Sequence, residues 1–543
     1  MSTDDEQAKR EDEARGKDER KRLVGRAGVV GAGTLLSRLL GLVRDVSVAA
    51  LFTRGQTDAF WVAFTIPNAL RQLLAEGAVS SAVVPVLSER LEKGGDEAAR
   101  AFYARARGVS LLALTAVSVA GVVLSEPITE LFASGAHATP GQFERTAHLT
   151  RVVFPYIFFM GTAALGMAAL NAKRQFAVPA FAPALLNVAL IACAFLLPAP
   201  LASRGIDASI ALGIGALVGG ALQMAAQGPA LRRAGFAVTP KVDLADPHVR
   251  EMLRRIAPMT FGIGVYYIDL VLSRRFLSEM GEGAQSYFSW AMRVSDFPQG
   301  IFVMAISTAA LPSLASLAAR GSTVEVARTF SHGLRLSLFV ALPASVLLVV
   351  LGEPLVALMF QRGKFDAVAA HETARALAWQ GGAIFTVAAV RQIVPVYHAL
   401  GDTRTPVIVS ALDLVAFVAL ALGLRGSMGH VGISVAVAGS SAVQMLLLLA
   451  VLRRRLGTTM MGEVLPAALR IAAASLVGAA GGWGVARLMQ GAVLGALGLA
   501  LPGLAGGVAF AGLFVAAAWG FGCGEIDELA APIARRLSRK EAT

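Results

Sequence analysis

Residues 37–45 read S-R-L-L-G-L-V-R-D, and residues 57–85 read T-D-A-F-W-V-A-F-T-I-P-N-A-L-R-Q-L-L-A-E-G-A-V-S-S-A-V-V-P. Two long apolar stretches here carry Arg38, Arg44, Asp45, Asp58, Arg71 and Glu76. An ionisable side chain at the centre of a bilayer costs about 3 kcal/mol on insertion scales, so three arginines facing lipid would cost roughly 8–10 kcal/mol, as much as a whole domain is stable by. They must face protein or water. A cluster led by arginine, with its planar fork of donors, suits a wet site that holds phosphate oxygens.

The rest of the chain supplies the membrane. Of 543 residues, 55% are apolar and 16% charged, and the mean hydropathy is +0.63, far from the ~25% charged of soluble domains. Runs of ~20 apolar residues, enough to cross ~30 Å of hydrocarbon, recur throughout. They fall at 27–52, 58–88, 106–126, 148–170, 180–198, 208–231, 250–276, 285–317, 333–352, 374–399, 405–423, 430–452, 466–488 and 496–521, and predict an all-α polytopic protein of fourteen spans. Residues 1–22 alternate acids and bases with almost nothing apolar and predict a disordered tail. The apolar stretch behind them predicts a retained first span.

Lysine and arginine number 49 against 37 acids, a net charge of +12. The excess gathers in alternate loops, with Arg90, Lys93, Arg100, Arg105, Arg107, Arg232, Arg233, Arg250 and Arg453 to Arg455 on one side, and this predicts that both termini are cytoplasmic. No basic stripe interleaves with exposed aromatics, so nucleic acid is not expected as a partner. No phosphate loop of the G-x-x-x-x-G-K-[ST] type occurs, Cys193 and Cys523 form no motif, and the seven histidines show no ligand spacing. No metal site or cofactor is therefore expected, and neither a coupling ion nor the use of membrane potential is set by the residues. Gly215 and Gly219 in G-I-G-A-L-V-G-G predict close helix packing, not a nucleotide loop.

The chain repeats itself. Pro85 recurs as Pro312, Glu126-Pro127 as Glu353-Pro354 and Val178-Pro179 as Thr405-Pro406, and 312−85, 353−126 and 406−179 all equal 227. Six spans per repeat make the two halves enter the membrane in the same sense, about an axis along its normal. The expected organisation is an N-lobe at 23–235, a C-lobe at 247–456, two helices outside the repeat at 463–522, and a tail at 523–543.

Within the repeats, Arg38 and Asp45 share a helix face, Arg44 lies about 120° from Arg38, and Gly41 permits a break or a close approach. Pro67 should kink its helix. In the second half Arg293 and Asp296 stand at i, i+3 before Pro298, and Arg391 adds another buried cation. Such residues also serve as ion pairs that only fix packing, Arg44 with Asp45 or Arg293 with Asp296. As a set, five arginines against four acids favour an anionic substrate.

At these residues the sequence resembles the MurJ/MviN family of lipid II flippases, within the multidrug/oligosaccharidyl-lipid/polysaccharide exporter superfamily. The likeness is carried by S-R-L-L-G-L-V-R-D at 37–45, T-D-A-F at 57–60, P-N-A-L-R at 67–71, A-E-G-A at 75–78, F-P-Y at 154–156, P-A-F-A-P-A-L-L-N at 179–187, D-F-P-Q-G at 296–300, L-P-S-L at 311–314 and G-K-F at 363–365. The resemblance implies a transporter, not an enzyme, in the cytoplasmic (inner) membrane, moving lipid II from the inner to the outer leaflet by alternating access. Its partners would be lipid II, the membrane and proteins of cell-wall synthesis. It further implies pyrophosphate binding by Arg38, Arg44 and Arg293 and cavity or gating roles for Ser37, Asp45, Asp58, Arg71, Glu76 and Asp296. A groove for the polyprenyl tail would lie on 463–522. Thr65 stands where some relatives carry lysine, and the N-terminal tail is longer than the family requires. The alternatives are a flippase for another polyprenyl-linked oligosaccharide and a cation-coupled exporter of the same superfamily; the latter should line its cavity with acids. A membrane enzyme acting on polyprenyl phosphates would need clustered acids of the D-D-x-x-D kind, which are absent from the sequence.

Overall fold

In hydrocarbon every backbone N–H and C=O must be satisfied within its own segment, and apolar stretches of this length therefore coil. The computed structural model describes residues 28–71, 79–262, 264–299, 304–457, 462–491 and 496–528, and among these it contains helices and no strand. The first half runs α1 (28–51), α2 (Arg54–Arg71), α3 (Val79–Val123), α4 (Ser125–Ala133), α5 (Gln142–Val153), α6 (Tyr156–Ala172), α7 (Ala177–Leu196), α8 (Pro198–Ala202) and α9 (Ile210–Arg233). The second runs α10 (Pro247–Gly262), α11 (Gly264–Ser278), α12 (Ala284–Pro298), α13 (Met304–Ala319), α14 (Thr323–Val350), α15 (Gly352–Phe360), α16 (Ala367–Gly382), α17 (Ile384–Ala399), α18 (Arg404–Met428) and α19 (His430–Leu456). The hairpin α20 (Val464–Met489) and α21 (Ala496–Gly520) follows. The expected tail at 1–22 and all but the first residues of the tail at 523–543 lie outside the described residues.

Nine helical stretches among the described residues are long and apolar enough to cross a membrane. The five expected spans not among them are 27–52, 58–88, 250–276, 285–317 and 374–399. These are the stretches that carry Arg38, Arg44 and Asp45, Asp58, Arg274, Arg293 and Asp296, and Arg391. Each of these apolar stretches is interrupted by charge.

The repeat extends to element boundaries. Helices α4 and α15 are each nine residues long, and 352−125 and 360−133 both equal 227. Helices α7 and α18 begin 404−177 = 227 residues apart. In α9 a Cβ on Gly215 or Gly219 would press on the backbone of Leu190 or Leu186 in α7, which is the close approach that their spacing predicts.

The chain forms two compact units. The first comprises residues 1–52, 59–131 and 140–267; the second comprises 53–58, 132–139 and 268–543. An apolar cluster of the first unit joins α3, α6 and α10 through Val83, Leu87, Phe102, Leu165 and Met252. In the second, Phe330, Ile393, Tyr397, Leu448 and Leu452 join α13, α14, α17 and α19. A separate cluster of Phe339, Leu351, Ile471, Phe510 and Phe514 seats the hairpin on α14.

The segment between the repeats, 236–246, is strapped along α3 in the first unit. Lys241 N–H donates to the Ala104 carbonyl at 2.9 Å, and Arg107 Nη1 donates to the Val238 carbonyl at 3.0 Å. Phe236, 1% exposed, packs on the Tyr103 ring at 5.0 Å. Arg105 meets Asp243 at 3.4 Å and Asp246 at 3.0 Å. Burial alone would raise the Asp246 carboxyl, but the N–H groups of Val249 and His248 and the charge of Arg105 outweigh it and hold it below the usual range. The Ala104 carbonyl already accepts within its helix from the residue four on, and that residue is Gly108. A bare Cα there leaves the second lone pair open to Lys241. A Cβ on Gly108 would overlap the Lys241 backbone. Gly108→Val should therefore open the strap at a cost of about 1–3 kcal/mol. Limited trypsin digestion should show faster cleavage after Lys241, and an unchanged rate would mean that the strap is not closed in solution.

Candidate functional site

Helix α1 passes through Gly41 without a break, so of the two roles this glycine permits, a break or a close approach, the break is not used. A Cβ on Gly41 would meet the Asn187 amide at 3.8 Å, an ordinary contact. What the first unit builds here is a buried polar knot between α1 and α7. Arg44 and Asp45 are 8% and 5% exposed. The Arg44 side chain folds back on its neighbour, Nε donating to Asp45 Oδ1 at 2.8 Å and Nη2 to the same oxygen at 2.6 Å. Nη1 donates to Asn187 Oδ1 at 2.9 Å. The Asn187 amide then donates to the Ser37 carbonyl at 2.9 Å and weakly to the Ser37 hydroxyl at 3.5 Å. Asn187 is thus the hinge pin of the knot: one end fixes the guanidinium and the other fixes α1 two turns earlier. Arg38, one residue after Ser37, is half-buried and makes no hydrogen bond or ion pair among the described residues. Its donors are available to a ligand.

The second unit holds Asp58. Helix α12 begins at an N-cap glycine, Gly283, with φ +97° and no side chain to cap it. The first N–H groups of a helix have no partner of their own. Asp58, on α2, supplies the missing cap: Oδ2 accepts from Gly283 N–H at 2.5 Å, and Oδ1 accepts from Ser286 N–H at 2.8 Å and the Ser286 hydroxyl at 2.6 Å. Thr57 Oγ1 lies 2.6 Å from Ser286 Oγ. Around this cap, Glu282 Oε1 accepts from Gly55 N–H at 2.9 Å, and Arg54 binds the Asp366 carboxylate at 2.5 Å. Asp366 in turn caps α16 through Ala369 N–H, and those N–H bonds with the Arg54 charge hold its carboxyl below the usual range. The other face of α12 is tied to α11 by buried Arg274, which donates to Gln285 Oε1 at 3.0 Å and Ser289 Oγ at 2.8 Å.

Farther along α12, Arg293 is half-buried and Asp296 exposed. Arg391, on α17, is half-buried, and its carbonyl accepts from the Ser307 hydroxyl at 2.9 Å. Two acids not anticipated from the sequence, Asp269 on α11 and Asp413 on α18, lie near enough for their charges to interact. Each has an Oδ1 that is buried without a hydrogen-bond partner among the described residues. No group of three or more His, Cys, Asp or Glu side chains that could hold a metal ion occurs among the described residues. Glu76 and the side chain of Arg71 lie outside the described residues.

Residues 48–501 match the family model described as Lipid II flippase MurJ. The chain is 35% identical over 438 residues to the lipid II flippase MurJ of Burkholderia cenocepacia, covering 78% of this chain and 83% of that one. The chain belongs to the MurJ family. A probable lipid II flippase MurJ of Bdellovibrio bacteriovorus is 31% identical over 521 residues, 94% of this chain and 97% of the relative. Among solved structures, a lipid II flippase MurJ in an inward closed conformation superposes with a TM-score of 0.72 at 23% identity, over 89% of this chain and 97% of that one. An inward-facing multidrug resistance MATE transporter of the MOP superfamily gives 0.63 at 15% identity, over 77% and 94%. These structures share the fold.

Within this MurJ-family chain, sequence reasoning named Arg44, Asp45 and Asp58 and the Arg44–Asp45 pair, but missed Asn187 as the third member of that pair's network and the helix start that Asp58 caps. Asn187 closed a quoted motif, P-A-F-A-P-A-L-L-N, without being given a role. Asp269 and Asp413 could have been found by subtracting the repeat. Since 413−227 = 186 and 269−227 = 42, they fall beside Asn187 and two residues before Arg44. The same pair of helices therefore carries buried polar groups in both repeats, cation and amide in one and two carboxylates in the other.

Proposed function

We infer that this protein is a multi-pass inner-membrane flippase that moves lipid II from the inner to the outer leaflet by alternating access, with no covalent chemistry. The observation that carries this reading is the Arg44–Asp45–Asn187 knot beside an uncommitted Arg38, inside the membrane, in a chain of the MurJ family. Arginine suits the pyrophosphate because its fork meets two oxygens at once, and a fixed guanidinium lowers the penalty of bringing that charge into hydrocarbon. Arg38 and Arg44 are assigned to the pyrophosphate, Arg293 to the same class of contact, and Ser37, Asp45, Arg71, Glu76, Asp296 and Arg391 to the lining of the path. Asp58 is assigned to gating, since its carboxylate holds the start of α12. The lobes would span 23–235 and 247–456, with the α20–α21 hairpin offering its apolar face to the prenyl tail. The alternating arginine-rich loops support a cytoplasmic placement of both termini.

The reading is tested by measuring lipid II headgroup accessibility outside cells depleted of the protein and complemented with wild type or Arg44→Ala. Exposure should fall at least tenfold on depletion and return only with wild type. Unchanged exposure together with loss of a different surface glycan would keep the fold and reassign the substrate.

A further inference from the structure

Glu463 and Glu525 stand at the two open ends of the α20–α21 hairpin, and both reach Arg335 on α14. Arg335 Nη1 donates to Glu463 Oε2 at 3.2 Å, and Nε faces Glu525 Oε1 at 3.4 Å, an ion pair without the alignment of a hydrogen bond. One turn earlier His332 Nε2 lies 3.2 Å from Glu528 Oε2. At the same level Arg470 of α20 donates to the Gly522 carbonyl, just past α21, at 3.2 Å. Residues 332 and 335 share a helix face. A single turn of α14 thus grips the chain where it goes into the hairpin and where it leaves.

The contacts differ in weight. The Glu463 side chain is 72% exposed, and an exposed pair adds little. Glu525 is 5% exposed, and its neighbours Cys523 and Ile526 sit in the apolar cluster with Phe339, Ile471 and Phe514. A buried carboxylate stripped of its counter-ion is strongly destabilising, so the fold-back of 523–528 onto α14 depends on Arg335. The hairpin itself is stiff, because Gly482 and Gly506 each lie against the other's carbonyl with no room for a Cβ. The Phe339 and Phe514 rings, 5.4 Å apart, seat it on α14.

We propose that Arg335 is a positioning residue that clamps both ends of the α20–α21 hairpin to α14, so that the hairpin travels with the second repeat and does not slide along it. The clamp follows from these contacts alone; its effect on transport rests on the flippase reading, in which the hairpin carries the prenyl tail.

Hydrogen exchange on the full-length protein in lipid nanodiscs tests it, comparing wild type, Arg335→Ala, Arg335→Lys and the double variant Arg335→Ala/Glu525→Gln. Arg335→Ala should speed exchange at 462–470 and 521–528 about tenfold or more, leaving 404–428 unchanged. Lysine, which cannot bridge both acids, should give an intermediate value, and Glu525→Gln should restore protection at 521–528 by removing the unpaired charge. Lipid II exposure in cells should fall several-fold with Arg335→Ala. Unchanged exchange at either end overturns the clamp, and faster exchange with wild-type exposure overturns its role in transport. If exchange behaves as expected but depletion of the wild type leaves lipid II exposure unaltered, the flippase reading fails and the clamp stands.

Discussion

Asp45→Ala should destabilise the protein more than the double replacement Arg44→Met/Asp45→Leu does. Arg44 is 8% exposed, and two of its nitrogens bind one Asp45 oxygen at 2.8 and 2.6 Å. Without that carboxylate a guanidinium stays buried with only the Asn187 amide oxygen to meet it. Breaking a buried pair from one side costs about 3–5 kcal/mol, whereas replacing both members with apolar groups of similar size is often neutral. Thermal unfolding in detergent should therefore show a large drop for Asp45→Ala and a small one for the double variant. On the assignment of Arg44 to the pyrophosphate, lipid II exposure should be lost in both, because the double variant regains stability without regaining the guanidinium. Equal destabilisation of the two would mean that the knot is held by shape and not by charge. Wild-type exposure in the double variant would remove Arg44 from the transport path.

The second large effect is expected at Asp58. In Asp58→Ala the N–H groups of Gly283 and Ser286 lose their acceptor, and the Ser286 hydroxyl turns to Thr57 Oγ1. Each buried group left unpaired costs about 1–3 kcal/mol, so the first turn of α2 should separate from α12. With Cys193 and Cys523 replaced, a cysteine at Gln56 should react with a water-soluble maleimide about tenfold faster or more in Asp58→Ala. Asp58→Asn keeps one acceptor oxygen and should fall between. On the assignment of Asp58 to gating, transport should fail in the alanine variant. An unaltered labelling rate would show that the cap does not hold the segment.

Much of this was legible in the chain. Intramembrane charge is so costly that Arg38, Arg44, Asp45, Asp58, Arg293 and Asp296 stand out from apolar surroundings at sight. The 227-residue offset fixes the paired architecture down to the nine-residue helices α4 and α15. Partners separated widely in sequence were not legible. Nothing near Asp58 announces that its acceptor role is to cap a helix some 225 residues on. Asn187 looks like one polar residue in an apolar run until the Arg44 side chain reaches it. The Arg44–Asp45 pair was legible but its geometry was not, since adjacent residues point about 100° apart on a helix and the Arg44 side chain curls back to bring Nε and Nη2 onto one Asp45 oxygen. Gly41 left two readings open, a break or a close approach, and the helix runs through it unbroken, because glycine in a helix permits a break without requiring one. The segment 236–246 has the composition of a free connector, and nothing in it announces that Lys241 lies against the bare Cα of Gly108.

That attachment changes what the covalent bridge between the repeats can do. A chain stitched to α3 by Lys241, Arg107 and Phe236 is no slack leash, so its peptide bonds carry little of the tethering. Were the backbone severed between Thr239 and Pro240, α10 would stay docked on the first unit through Val249 and Met252 and the Arg105 pairs. The gene could then be divided at that point and the halves made separately, whereas a reporter domain spliced into the same place would have to tear the seam open to fit.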